Sequence, residues 1–218
     1  MKGKPMKKMN VPNRLTLLRI ILVPFVIAAI LIRFPFHFLV AGILFGVASI
    51  TDALDGRIAR RDNLITDFGK FADPLADKIL VISVLVCFVK LGLCGAIPLI
   101  IIIFREFAVT SVRLVASAKG KVIAANMWGK VKTVSQIVAI IAIFLMRTAL
   151  EIVALSMTGH PLPSTVSAIT DYGAAGTLLL LSQIFGIIGQ ALLWIVAIIT
   201  VISGVKYLVD NKEVISDM

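Results

Sequence analysis

The stretch from Asp52 to Lys78, DALDGRIARRDNLITDFGKFADPLADK, decides how the rest of the chain is read. It sets aspartate after aspartate among small, apolar and basic residues, in a chain otherwise suited to a lipid bilayer. Asp52 and Asp55 are three residues apart, and Asp73 and Asp77 are four apart. Helical geometry puts each pair on one face. The segment between them contains RRDNLIT, polar enough for a turn, so two antiparallel helices joined there would bring both pairs together. Gly56 and Gly69 lack side chains and let a backbone or ligand approach closely. A buried, unpaired carboxylate is costly, and four converging ones would repel one another and take up protons. A divalent cation resolves that conflict. Ligands that are all oxygen suit Mg²⁺ or Mn²⁺ rather than zinc, and a pair of ions would suit an in-line displacement at phosphorus. The blander alternative is a set of surface carboxylates paired with Arg57, Arg60, Arg61, Lys70 and Lys78. That suits Asp62 and Asp67, but not the four at helical spacing.

The surroundings of this stretch fix the class of protein. Of the 218 residues 59% are hydrophobic and only 16% are charged, with a mean hydropathy of +1.03. Soluble domains run at about 45–50% apolar and about 25% charged. The expected fold is all-α: a polytopic membrane protein with six transmembrane helices. Apolar runs long enough to span hydrocarbon cover about 15–33, 38–60, 71–93, 96–117, 131–150 and 178–205. VPNRLTLLR (11–19) reads as a short N-terminal interfacial helix, with Pro at its start and mixed polarity. Residues 1–10 form a basic tail, 11–208 the membrane domain and 209–218 a C-terminal tail. Pro12, Asn13, Thr16 and Arg19 interrupt what could otherwise pass for a signal peptide, and no clear cleavage site follows. Residues 151–177 read as an outer loop, helical in part, with His160 and His37 as loop residues rather than ligands. Cys87 and Cys94 lack metal-ligand spacing and suggest no disulfide framework.

A net charge of +10 would raise nucleic acid as a partner in a soluble chain. No such motif is present here, and the bilayer supplies a better reason. With the N-terminus placed in the cytoplasm, all of the 22 Lys and Arg except Arg33, Lys90 and Arg147 fall on the cytoplasmic side. The positive-inside rule therefore puts both termini, and the aspartates, inside.

The aspartate stretch is similar to the signature of the CDP-alcohol phosphotransferase family, D-x₂-D-G-x₂-A-R-x₈-G-x₃-D-x₃-D. Asp52, Asp55, Gly56, Ala59, Arg60, Gly69, Asp73 and Asp77 fill every fixed position. The resemblance implies a six-helix membrane enzyme, commonly a homodimer, that moves a phosphate-linked group from a CDP-alcohol to a hydroxyl and releases CMP. It implies that Asp52, Asp55 and Asp73 bind metal, and that Asp77 helps to bind it and acts as the base. Gly56 and Ala59 would let the cytidine nucleotide lie against the second helix, with Arg60 and Gly69 supporting that site. From the first helix, Asn13, Thr16 and Arg19 would reach the nucleotide or its phosphates.

Three further stretches resemble the bacterial phosphatidylglycerophosphate synthases within that family: VPNRLTLLR (11–19), GKFADPLADKILV (69–81) and REFAVTSVRLVASAKGKVIAANMWGKVKT (105–133). This branch implies CDP-diacylglycerol as donor and glycerol 3-phosphate as acceptor, in a bacterial plasma membrane. The third stretch also has a direct physical reading. Arg105, Arg113, Lys130 and Lys132 flank the connection between the fourth and fifth spans, on the side of the aspartates. Arg113 lies two helical turns beyond Arg105, and converging cations bind a phosphate dianion well. Glu106 is expected to pair with a basic neighbour and orient it. Lys119 and Lys121 read simply as positive-inside residues.

The acceptor rests on fewer residues than the family. Cardiolipin synthase and phosphatidylinositol phosphate synthase of the same family share the aspartates and differ in acceptor. Among other classes, an ion-coupled transporter should place its carboxylates near the midplane, often in repeated or broken helices. Here they stand at helix ends beside basic turns, and no internal repeat is visible. An intramembrane prenyltransferase should show two separated Asp-rich motifs, where this chain has one.

Overall fold

The structure is a computed structural model. It describes residues 11–61, 67–118, 127–159 and 172–212, with side-chain surroundings for 16–51, 76, 78–116, 127–159 and 176–212. Among these residues the fold is all-helical: α1 (Val11–Leu31), α2 (His37–Arg61), α3 (Asp67–Lys90), α4 (Ala96–Ala118), α5 (Met127–Thr158) and α6 (Tyr172–Asp210). Each expected apolar run falls largely within one helix.

Local chemistry explains the helix ends. Pro12 sits in the first turn of α1 and Pro98 in the first turn of α4, where a missing N–H costs nothing. α3 begins at Asp67, an acidic residue where the helix dipole favours one. At the far end of α3, Gly92 takes a left-handed φ of 70°. Its N–H bonds Val89 O at 3.0 Å, and Leu93 N–H bonds Phe88 O at 2.9 Å. This is the Schellman pattern, which satisfies the last carbonyls and turns the chain sharply into α4. Gly159 (φ 72°) ends α5 with one bond to Leu155 O at 2.9 Å.

Two expectations are revised. The interfacial helix over 11–19 is not a separate element: α1 runs unbroken from Val11 to Leu31, with Pro24 inside it. The expected outer loop is helical in part, as its sequence reading had it: α5 continues to Thr158 and α6 starts at Tyr172; His160 lies outside the described residues. His37 is no loop residue. It opens α2 and is buried.

Packing sets which helices meet. α1 lies against α2 and α3, α5 against α6 and α2, and α4 against α6. The core joins Val26 and Ile30 of α1, Phe45 of α2, Val84 and Phe88 of α3, Ile102 of α4, Phe144 of α5 and Leu193 of α6. Phe144 stacks edge-on with Phe88 and tilted against Phe45. A side chain at Gly42 would come within 3.2 Å of Phe144 Cβ, so α2 and α5 approach closely where a small residue permits it.

Large apolar side chains also cover much of the described exterior. Phe104 is 75% exposed and Ile187 70%. Faces of this kind are costly in water and at home in hydrocarbon. α5 and α6 are long and apolar enough to cross a membrane.

Candidate active site

The aspartates lie on two consecutive helices. Asp52 and Asp55 lie in α2, Asp73 and Asp77 in α3, so both pairs keep the helical spacing that puts each on one face. The side chains of Asp52, Asp55, Asp73 and Asp77 lie outside the described residues, as do those of Asn13, Gly56, Ala59, Arg60 and Gly69. The donor set is nonetheless a chemical fit for Mg²⁺ or Mn²⁺: carboxylates only, two from each helix, with no sulfur or imidazole among them.

The register of α3 leads from the aspartates to a pocket. Asp73 and Asp77 stand two turns and one turn before Val81. Val81 lines an open pocket between α3, α4 and α5, together with Lys78, Ile82, Glu106, Lys132, Thr133, Gln136 and Ile137. Its polar wall is built by pairing. Lys132, buried on α5, donates to Glu106 Oε1 on α4. The same oxygen lies 3.5 Å from Arg105 Nη1. Lys78 donates to Thr110 Oγ1 and lies 5.9 Å from the centre of the Phe107 ring. Thr110 in turn donates to Glu106 O at 2.7 Å. Among the described side chains, one carboxylate stands against Lys78, Arg105 and Lys132, a positive balance.

The four expected acceptor residues do not share one surface. Lys132 belongs to the pocket. Lys130, two residues away and so about 200° round the helix, is exposed. Arg105 reaches the other way along α4, and its Nη2 donates to Ser203 Oγ of α6 at 2.8 Å. Arg113, largely exposed, lies 5.4 Å from the centre of the Tyr207 ring. Arg105 therefore bridges the pocket pair and the α4–α6 seam through Glu106 and Ser203. On α1, Thr16 and Arg19 are wholly buried.

Sequence reasoning passed over Lys78, Gln136, Ser203 and Tyr207. Gln136 had a usable signal, as a lone amide in the apolar run 131–150. Lys78 was read only as a counter-ion for surface carboxylates. Ser203 and Tyr207 stand in a helix that reads as uniformly greasy.

Residues 9–160 match the family model described as CDP-alcohol phosphatidyltransferase. The chain belongs to this family. Among its relatives, the CDP-diacylglycerol–glycerol-3-phosphate 3-phosphatidyltransferase of Bacillus subtilis is 46% identical over 157 residues, covering 66% of this chain and 81% of that protein. The proteins of the same name from Rickettsia bellii and Rickettsia felis are 33% and 34% identical over 204 residues, covering 94% of this chain and 96% of each. The stretch matched to the CDP-alcohol phosphatidyltransferase model contains α1 to α5, with all four aspartates and Lys132. It stops before α6.

Proposed function

We propose that this chain transfers the phosphatidyl group of CDP-diacylglycerol to the 1-hydroxyl of glycerol 3-phosphate, giving phosphatidylglycerophosphate and CMP. The observation that carries the acceptor is the positive pocket of Lys78, Glu106, Lys132 and Gln136, one turn along α3 from Asp77. An acceptor that carries its own phosphate needs such a pocket. The names of the relatives support the same donor and acceptor.

The diacylglycerol tails stay in the bilayer while the CDP head reaches the ends of α2 and α3. Gly56 and Ala59 leave room for the nucleotide against α2, with Arg60, Gly69, Asn13, Thr16 and Arg19 around it. Mg²⁺ or Mn²⁺, held by Asp52, Asp55, Asp73 and Asp77, supplies charge neutralisation at the pyrophosphate when bound. Lys132 holds the acceptor phosphate in the pocket, with Arg105 tied to the same Glu106, and Arg113 and Lys130 add to the local field. Asp77 takes the proton of the 1-hydroxyl. The freed oxygen attacks the β-phosphorus, the bond to the CMP oxygen breaks, and CMP leaves. Fixing two substrates of opposite character at one interface contributes much of the rate.

The same reading gives six membrane spans, with both termini and the site on the cytoplasmic face of a bacterial plasma membrane, and a homodimer as the assembly. Helices of 21 to 39 residues are long enough for hydrocarbon about 30 Å thick at about 1.5 Å per residue. The distribution of Lys and Arg supports the sidedness.

Asp73→Ala tests the chemistry. CMP formation from CDP-diacylglycerol and glycerol 3-phosphate should vanish while the protein stays folded in the membrane. Turnover retained in that variant would rule out the aspartate scheme.

A further inference from the structure

Among the described residues, one polar side chain of the pocket between α3, α4 and α5 has no hydrogen bond to the protein. That side chain is Gln136. It opens the apolar stretch QIVAIIAIF of α5 and is only 3% exposed. The other polar groups of the wall are engaged. Lys78 donates to Thr110, Lys132 to Glu106, and Thr133 to Gly129 O at 3.1 Å. A primary amide offers two N–H donors and a carbonyl acceptor. Burying it unsatisfied costs free energy that Leu or Met in its place would not. An amide kept here therefore points to a ligand.

The neighbours indicate which part of a ligand it meets. Lys132 stands one turn before Gln136 on the same face of α5, so a group beside the amide lies next to a phosphate held by Lys132. Val81 lines the same pocket from α3, one turn after Asp77. Val81, Ile82 and Ile137 leave the rest of that wall apolar, suited to a short carbon chain.

We propose that Gln136 is a specificity residue that hydrogen-bonds the secondary hydroxyl of the acceptor, the one between the phosphate-bearing carbon and the reacting carbon. In glycerol 3-phosphate this is the 2-hydroxyl, which takes no part in the transfer and is free to be recognised. It donates to the amide oxygen or accepts from the amide nitrogen. Either bond distinguishes it from a hydrogen atom at the same carbon. The inference rests on the acceptor reading given above, and adds recognition of the carbon chain to that of the phosphate.

The test uses the full chain in detergent with CDP-diacylglycerol and Mg²⁺, and takes kcat/KM from CMP release with two acceptors. One is glycerol 3-phosphate. The other is 1,3-propanediol monophosphate, which keeps the phosphate and a primary hydroxyl and lacks only the secondary one. The parent should favour glycerol 3-phosphate by at least about ten-fold, the scale of one buried hydrogen bond. Gln136→Met, which conserves volume, should bring the two acceptors close to parity by slowing glycerol 3-phosphate alone. KM for CDP-diacylglycerol should not move, and Tm should hold or rise, since Met has no amide to bury. Gln136→Asn should keep part of the preference. An equal loss with both acceptors, or a lower Tm with the preference intact, would make Gln136 a packing residue and overturn the inference. The parent's own preference needs no variant. If it uses both acceptors equally well, this inference alone fails. If it releases CMP with neither, the acceptor reading fails and takes this inference with it.

Discussion

Glu106 holds one carboxylate oxygen against two cations, Lys132 and Arg105. Removing one partner of a nearly enclosed ion pair is worse than replacing both, because the survivor is left uncompensated. Glu106→Ala should therefore lower Tm by more than the pair Glu106→Gln with Lys132→Met does. Thermal unfolding in detergent checks the order. The double variant should regain stability but not acceptor affinity, with KM for glycerol 3-phosphate up at least about ten-fold. At this scale the sequence was partly legible. Glu106 was expected to orient a basic neighbour, and it contacts two. The division of labour among Arg105, Arg113, Lys130 and Lys132 was not legible, because charge and spacing do not say which way a long side chain turns. Lys130 and Lys132 look equivalent in WGKVKT, and only the inward turn that brings Lys132 to Glu106 buries one of them.

The helices themselves could be read from apolar runs, since each run is long enough to bury every backbone group internally in lipid. Their ends could not. Hydropathy places a boundary where polarity rises, but a helix continues until something stops it. Gly159 stops α5 eight residues past the expected boundary. The break expected near Arg19 failed for the same reason, as Asn13, Thr16 and Arg19 are polar without being helix breakers. At the opposite end of the bundle from the pocket, His37 ties three helices. Its Nδ1 donates to Ala29 O of α1 at 3.2 Å, and its Nε2 lies 3.4 Å from Glu151 Oε1 of α5. His37→Ala and Glu151→Ala should each destabilise the fold by about 1–3 kcal/mol, with a coupling between them in a double-mutant cycle. CMP turnover per folded molecule should hold. A loss of turnover without a loss of Tm would contradict the view that this cluster is structural.

For the whole molecule, the aspartates and the positive-inside bias carry the account together. The bias supports the proposed placement of Asp52–Lys78 on the cytoplasmic side, where a water-soluble acceptor and CMP can come and go. The aspartate motif could be read from eight letters at fixed spacing because helical register alone pairs them; the pocket beside it could not, since α3, α4 and α5 each supply only part. Chelation with EDTA should abolish CMP release, and added Mg²⁺ or Mn²⁺ should restore it. Activity that survives exhaustive chelation would contradict the role given to the four carboxylates.

The most direct test of the central claim is an acceptor panel. Purified protein is given CDP-diacylglycerol and Mg²⁺ or Mn²⁺, with glycerol 3-phosphate, inositol phosphate, serine and phosphatidylglycerol offered one at a time, and CMP is followed. The account predicts CMP release with glycerol 3-phosphate alone. Release with another acceptor instead would overturn the reading of the basic pocket, and no release from folded protein with any of them would contradict the transferase itself.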